Sequence, residues 1–311
     1  MFEQSRIKFK DEDAISVKGL GPYDLEATLT CGQCFRYESL PDGGYLFVAR
    51  DLLIRVYQPQ SGQLVFPGIS DEDFERVVRH LFSLDRDLDE ICDEILSSTD
   101  SVWLTNAAEC AKGIAILGQE PSEALLSFII SQNNNIPRIR KIIKQICAEY
   151  GVNLCLHNKK EAKCPLKLVD GTPCEENCRK CGICYSFPTP ADILARPEGL
   201  LPSKPGFRYG YIIDACKKLT SGEIDLSAIT ERKDYEFTLN ELKRIKGVGD
   251  KVASCVALFG FGNLEAFPID VWMKRAIDTY FNGKLDPKDL GRYAGVAQQY
   301  IFHYIRNIES K

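Results

Sequence analysis

LKRIKGVGDKVASCVALF, residues 242–259, reads as the end of one helix, a tight hairpin and the start of a second helix. Apolar residues recur at helical spacing on both sides of Gly247 and Gly249. The two glycines permit the positive dihedrals and the close backbone approach that such a hairpin needs. Its amides, with the N-terminus of the following helix, can point at a phosphate and so hold a nucleic-acid backbone without reading its sequence. The plainer reading of the same glycines is an ordinary turn between packed helices.

Working outward, helical patterning continues on both sides. Downstream, IDVWMKRAIDTYF and RYAGVAQQYIFHYIRNI are helices. Upstream, PSEALLSFIISQ starts near Pro121 and Ser122, and IPRIRKIIKQICAEYG closes at Gly151. FPTPADILA and FRYGYIIDACKKLTSG lead into the hairpin. From about Tyr23 to Phe66 the period is two instead, as in YLFVARDLLIRVYQ, with PDGG and QSGQ as turns. That stretch predicts an antiparallel sheet with one wet face, and helical periods resume from Asp71. The fold class is therefore α+β: an N-terminal antiparallel sheet domain over 1–100, an all-helical helix–hairpin–helix region over 101–311, and a Cys-rich insertion at 152–185 that breaks the periodicity.

Composition narrows the functional classes. The chain has 311 residues, 44% apolar and 27% charged, with a net charge of −5. A general electrostatic grip on nucleic acid is thus absent, and any such surface must be a local patch. RIRKIIK and LKRIKGVGDK supply candidates. The N-terminus, MFEQSRIKFKDED, lacks the apolar segment of a secretory signal, and no apolar run is long enough to span a bilayer. The expectation is an intracellular monomer with no membrane partner, in cytoplasm and nucleoid if prokaryotic and in the nucleus if eukaryotic. An odd number of cysteines, 13, speaks against a disulfide framework.

Beyond the hairpin lies FPID, and Lys251 and Asp270 are the residues with chemistry in them. With this spacing the chain resembles the helix–hairpin–helix DNA glycosylase superfamily. Lys251 stands where lyase members carry their nucleophile, and Asp270 where all members carry the essential aspartate. Glycosidic cleavage builds positive charge on the sugar, which a fixed carboxylate stabilises. An amine can attack the anomeric carbon and form a Schiff base after ring opening. Taken alone, Lys251 would be a solvated helix-start residue and Asp270 a helix N-cap. The cap and the catalytic role are compatible.

Within the superfamily the chain is similar to 8-oxoguanine DNA glycosylases of the eukaryotic type. TCGQCFRY, QEPSEALLSFIISQNNNIPRI, GFRYGYI, GVGDKVASC and AGVAQQYIF carry the resemblance, in order. It implies double-stranded DNA containing 8-oxoguanine opposite cytosine as partner, and no catalytic cofactor. Gly32 would offer its carbonyl to N7–H of the oxidised base, where guanine has only an acceptor. Cys255 and Phe302 would sandwich the flipped base, and Gln298 would read its Watson–Crick edge. Asn133, Arg138, Phe207 and Arg208 would fill the vacated space and contact the orphaned cytosine, with Phe207 as the wedge. Three departures stand out: Trp272 replaces a histidine near a phosphate, Phe207 replaces a tyrosine, and Cys31 and Cys34 flank Gly32. The rivals are a glycosylase for another damaged base and a non-catalytic hairpin module that only binds DNA.

Six cysteines fall between Cys155 and Cys184. Close thiolate spacings suit tetrahedral structural zinc. Cys181 and Cys184 form a C-x-x-C knuckle. Cys164 and Cys174 would complete the set, with Cys178 as an alternative member and an iron–sulfur cluster as the competing cofactor.

Overall fold

In the computed structural model, residues 2–157 and 182–309 are described. Strands β1 (Glu3–Phe9), β2 (Glu12–Lys18), β3 (Tyr37–Ser39), β4 (Tyr45–Ala49), β5 (Leu52–Gln60) and β6 (Gln63–Pro67) form one antiparallel sheet in the order β1-β2-β6-β5-β4-β3. Lys10 and Asp11 both have positive φ, the geometry of a two-residue hairpin turn that matches the twist of its strands. Register places Ile15 opposite Phe66 and Val17 opposite Leu64. The inner face therefore presents these residues, with Phe47, Ile54 and Val56, to a helical turn at 71–81, where the Phe66 ring lies 5.3 Å from Phe82 and 6.0 Å from Phe74.

The outer face corrects the expectation of a wet side. Ala14, Leu46, Tyr57 and Val65 are buried there with Cys184, and Cys155 and Ile183 pack against them. The shoulders of the 152–185 segment hold this cover in place. Asn153 and Tyr185 form a bridge, and the Leu154 amide donates to the Cys184 carbonyl at 2.9 Å. The central strands β2 and β6 consequently run buried on both faces and alternate little. Of the proposed metal ligands, Cys164, Cys174, Cys178 and Cys181 lie outside the described residues. Among those described, no group of three or more His, Cys, Asp or Glu residues is placed to hold a metal ion.

The helices that build the cleft are α1 (Leu25–Thr30), α2 (Pro121–Ser131), α3 (Ile136–Tyr150), α4 (Arg208–Thr220), α5 (Tyr235–Lys243), α6 (Asp250–Phe261), α7 (Val271–Tyr280) and α8 (Ala294–Glu309). Helix α2 is buried without interruption from Ala124 to Ile130, as its nearly continuous apolar sequence demands. It packs on α6, itself buried from Val252 to Phe259, with the rings of Phe128 and Phe259 stacked 5.4 Å apart. One apolar cluster runs from the sheet through these helices, so the Gly32 loop and the hairpin are anchored in the same core. Among the described residues, no helix is long and apolar enough to cross a membrane.

Candidate active site

The hairpin is set by two different glycines. Gly247 has φ +80°, and a Cβ there would lie 2.3 Å from the Tyr211 ring, so both conformation and packing require glycine. Gly249 differs from expectation. Its φ of −100° is open to any residue and a Cβ would meet empty space. Its absent side chain leaves room outward, at the start of α6. Behind the hairpin, Asp214 accepts from the Lys246 amide at 2.7 Å.

Lys251 sits in the first turn of α6 and Cys255 one turn later, on the same face. The loop after α6 is tied down by the Gly295 amide, which donates to the Leu264 carbonyl at 2.7 Å. It delivers Asp270 as the N-cap of α7. Asp270 Oδ1 accepts from the Met273 amide at 2.8 Å, which leaves Oδ2 for other partners.

These residues meet in a small cavity lined by Gly32, Lys251, Cys255, Asp270, Gln298 and Phe302. Every lesion-reading residue expected from the sequence lines this space. Phe128, Phe259, Pro268 and Gln299, which the sequence reading had not singled out, complete the lining together with Cys31. Lys251 Nζ lies 5.5 Å from the Phe128 ring centroid. Burial pushes the Cys255 thiol up, the nearby Lys251 ammonium pulls it back, and the Asp270 carboxylate adds to the rise. Cys255 is thus a neutral apolar wall.

Gly32 has φ +89°, a conformation few side chains tolerate, and faces the Phe302 ring. The loop around it is held by Gln33, which is wholly buried. Gln33 Nε2 donates to the carbonyls of Thr28 and Ala115, both at 2.8 Å, and Oε1 accepts from the Leu117 amide at 2.8 Å. Gln119 adds a 2.7 Å bond to the Gln33 carbonyl. No local pattern marks Gln33, because its partners at Ala115, Leu117 and Gln119 lie far along the chain. Cys31 and Cys34 are also buried, and their thiols reach the carbonyls of Thr28 and Leu29. Burial pushes Cys31 up to about 11 and Cys34 well above the usual thiol range, so both are protonated structural groups.

The cavity adjoins a groove of about 810 Å³ lined by the asparagine triplet, Gly249, Trp272, Lys274 and Arg306. Each asparagine does something different. Asn133 has φ +46° and is exposed. Asn134 Nδ2 donates to the Ile130 carbonyl and closes α2. Asn135 caps α3 by accepting from the Arg138 amide at 3.0 Å. The Arg138 residue is exposed, and Phe207 is 53% exposed with its ring 5.8 Å from Tyr211. Arg208 departs from the expectation of an outward-facing donor. It is 2% exposed, and its guanidinium donates to the carbonyls of Pro205, Gln132 and Asn133. The Gln132 and Asn133 carbonyls sit where α2 ends and need donors, which is why the side chain turns inward.

Residues 17–125 match the family model described as 8-oxoguanine DNA glycosylase, N-terminal domain. An N-glycosylase/DNA lyase of Saccharomyces cerevisiae is 34% identical over 191 residues, 57% of this chain, and the chain spans less than half, 45%, of that relative's length. The structure of MBOgg1 in complex with a low-affinity DNA ligand matches 99% of both chains at 30% identity, with a TM-score of 0.82. The Clostridium acetobutylicum 8-oxoguanine glycosylase/lyase, in complex with double-stranded DNA containing cytosine opposite 8-oxoG, matches 99% of this chain and 98% of its own at 31% identity, with a TM-score of 0.80. With a shared N-terminal family model, near-complete structural coverage and a hairpin lysine meeting a helix-capping aspartate in one cavity, the chain belongs to the 8-oxoguanine DNA glycosylase/lyase family of the helix–hairpin–helix superfamily.

Proposed function

We propose that the protein is a bifunctional DNA glycosylase and AP lyase that flips 8-oxoguanine, paired with cytosine, out of the duplex and excises it in base excision repair. One observation carries this reading. Six residues from four separate segments (Gly32, Lys251, Cys255, Asp270, Gln298 and Phe302) line a single cavity beside an open groove. Extrusion is required because the reacting carbon is out of reach in a stacked duplex.

The chemistry follows from the placement. Gly32 offers a main-chain acceptor to N7–H, which the oxidised base has and guanine lacks. Phe302 and Cys255 enclose the base between a ring and a neutral thiol. The Lys251 amine attacks C1′ of the sugar, and the C1′–N9 electron pair leaves with the base. Asp270, fixed by its cap bond, stabilises the positive charge that develops on the sugar. Ring opening yields a Schiff base on Lys251, from which the 3′ phosphate departs by β-elimination. Asn133, which lines the groove, and the exposed Phe207 are the candidates to fill the gap left in the stack.

Incubation with an 8-oxoguanine:cytosine duplex and borohydride tests this. A covalent complex is expected on a denaturing gel, and Lys251→Gln should abolish it while DNA binding persists. A protein that binds the duplex but neither traps nor releases the base would be a hairpin binding module instead. Trapping on a different lesion alone would keep the mechanism and change the substrate.

A further inference from the structure

The lesion cavity contains a side chain that this chemistry does not use. Gln299 follows Gln298 on α8, and both are 4% exposed. Gln299 Nε2 donates to Gln298 Oε1 at 2.6 Å, while its own Oε1 is buried with no hydrogen-bond partner among the described residues. Reversing both amides would leave two N–H donors stranded in place of one carbonyl, so hydrogen bonding favours the arrangement seen. The bond occupies the Gln298 carbonyl. What Gln298 offers a bound base is therefore its NH2.

That polarity matters because the Gly32 contact cannot tell purines apart. 8-Oxoguanine and 8-oxoadenine both carry N7–H. They differ on the Watson–Crick edge, where guanine derivatives present O6 beside N1–H and adenine derivatives present an N6 amine beside a bare N1. Gln298 therefore turns a donor toward the base, which suits O6 of the first pattern and is mismatched to the N6 amine of the second, while the Gln299 carbonyl stays buried behind it. Resting on the glycosylase reading above, we infer that Gln299 is a specificity-determining positioning residue: it locks Gln298 as a donor, so the cavity takes 6-oxopurine lesions and rejects 6-aminopurine ones.

The test compares single-turnover excision of 8-oxoguanine and 8-oxoadenine, each opposite cytosine, by the wild type, Gln299→Ala and Gln299→Glu. Cleavage of a base-free AP site serves as a readout that the amides do not touch. Gln299→Ala frees Gln298 to turn over, so discrimination should fall about tenfold while AP cleavage and the melting temperature hold. Gln299→Glu, assayed above about pH 8 to keep the carboxylate ionised, only accepts, so Gln298 must donate inward and show its carbonyl, and preference should move toward 8-oxoadenine. Unchanged discrimination in both variants overturns the inference. So does a Gln299→Ala protein that loses stability and every activity together, which would make the residue purely structural. A wild type that cleaves AP sites but releases neither base would instead overturn the substrate reading on which the inference rests.

Discussion

Arg36 and Arg208 are both buried at the borders of the cleft, and they are held in opposite ways. Arg36 is 8% exposed, pairs with Glu123 at 3.0 Å, donates to the Tyr185 carbonyl and lies over the Phe187 ring. Burial works against its charge, but acidic neighbours, Glu123 among them, more than restore it. Arg208 is 2% exposed, and its guanidinium donates to carbonyls and lies over the Phe207 ring, with no carboxylate among its hydrogen-bond partners. Burial and then the Arg138 charge push it below the usual guanidinium range. Carbonyls solvate a cation without neutralising it. Arg36 is thus a staple joining the Gly32 loop, α2 and the end of the insertion. Arg208 keeps a net positive charge beneath the turn that faces the groove, where a polyanion would be attracted to it.

The largest effect should come from breaking the neutralised pair. Arg36→Met leaves the Glu123 carboxylate buried without its counter-charge, and we expect a loss of about 3–5 kcal/mol in unfolding free energy. The loss should depend on pH. Burial already raises the Glu123 pKa, with Arg36 holding it back, and removing Arg36 lets it rise further. A carboxyl raised in the folded state destabilises fully above its folded pKa and not at all below its unfolded value, near ~4.3. The deficit of the variant should therefore shrink as pH falls from neutral toward that value. Urea denaturation at several pH values measures this, and a deficit that stays flat with pH would deny Glu123 the part assigned to it.

The unneutralised arginine should behave differently. Arg208→Met removes a buried cation along with its bonds, so the net stability loss should be smaller, about 1–2 kcal/mol. Its main cost should fall on DNA, since the Gln132 and Asn133 carbonyls lose their clamp and the groove loses a charge. We expect duplex affinity to drop about tenfold, with a shallower dependence on salt. Equal affinity and an unchanged salt slope would mean that Arg208 is a staple like Arg36, and the contrast between the two would collapse.

The same contrast explains what the sequence could convey. The α+β class was legible because it rests on local spacing: period two before Asp71, helical periods after it, and the glycine hairpin. Gly32, Cys255, Gln298 and Phe302, which line the cavity with Lys251 and Asp270, were legible through the resemblance of their motifs to the glycosylase family. Residues whose function lies in distant partners left no such mark. Gln33 reaches Ala115 and Leu117, Arg36 reaches Glu123 and Tyr185, and Gln299 is defined by an amide orientation. Arg208 was legible through the family resemblance as a donor to the orphaned cytosine, but its direction depends on carbonyls contributed by the end of α2. The covered outer face of the sheet was missed for the same reason, since Cys184 and Ile183 arrive there from far along the chain.

At the hairpin the division between staple and ligand-facing element recurs within three residues, and it gives the smallest and cleanest test. Gly247 is packed against Tyr211 in a left-handed conformation, so Gly247→Ala must strain the backbone and displace the ring. It should destabilise the protein by about 1–3 kcal/mol. Gly249 has ordinary dihedrals and open space where a Cβ would go. Gly249→Ala should leave unfolding free energy within about 0.5 kcal/mol of wild type. If that open space is kept for a phosphate at the N-terminus of α6, the added methyl should still weaken duplex binding several-fold and leave the lesion-to-guanine preference intact, because backbone contacts position without reading sequence. Thermal melts with fluorescence-anisotropy titrations of both variants separate the two roles. A Gly249→Ala protein that is as stable as wild type and binds DNA equally well would show that the amides at the start of α6 do not approach the backbone, and would shift the phosphate contacts to the lysines and arginines around the groove.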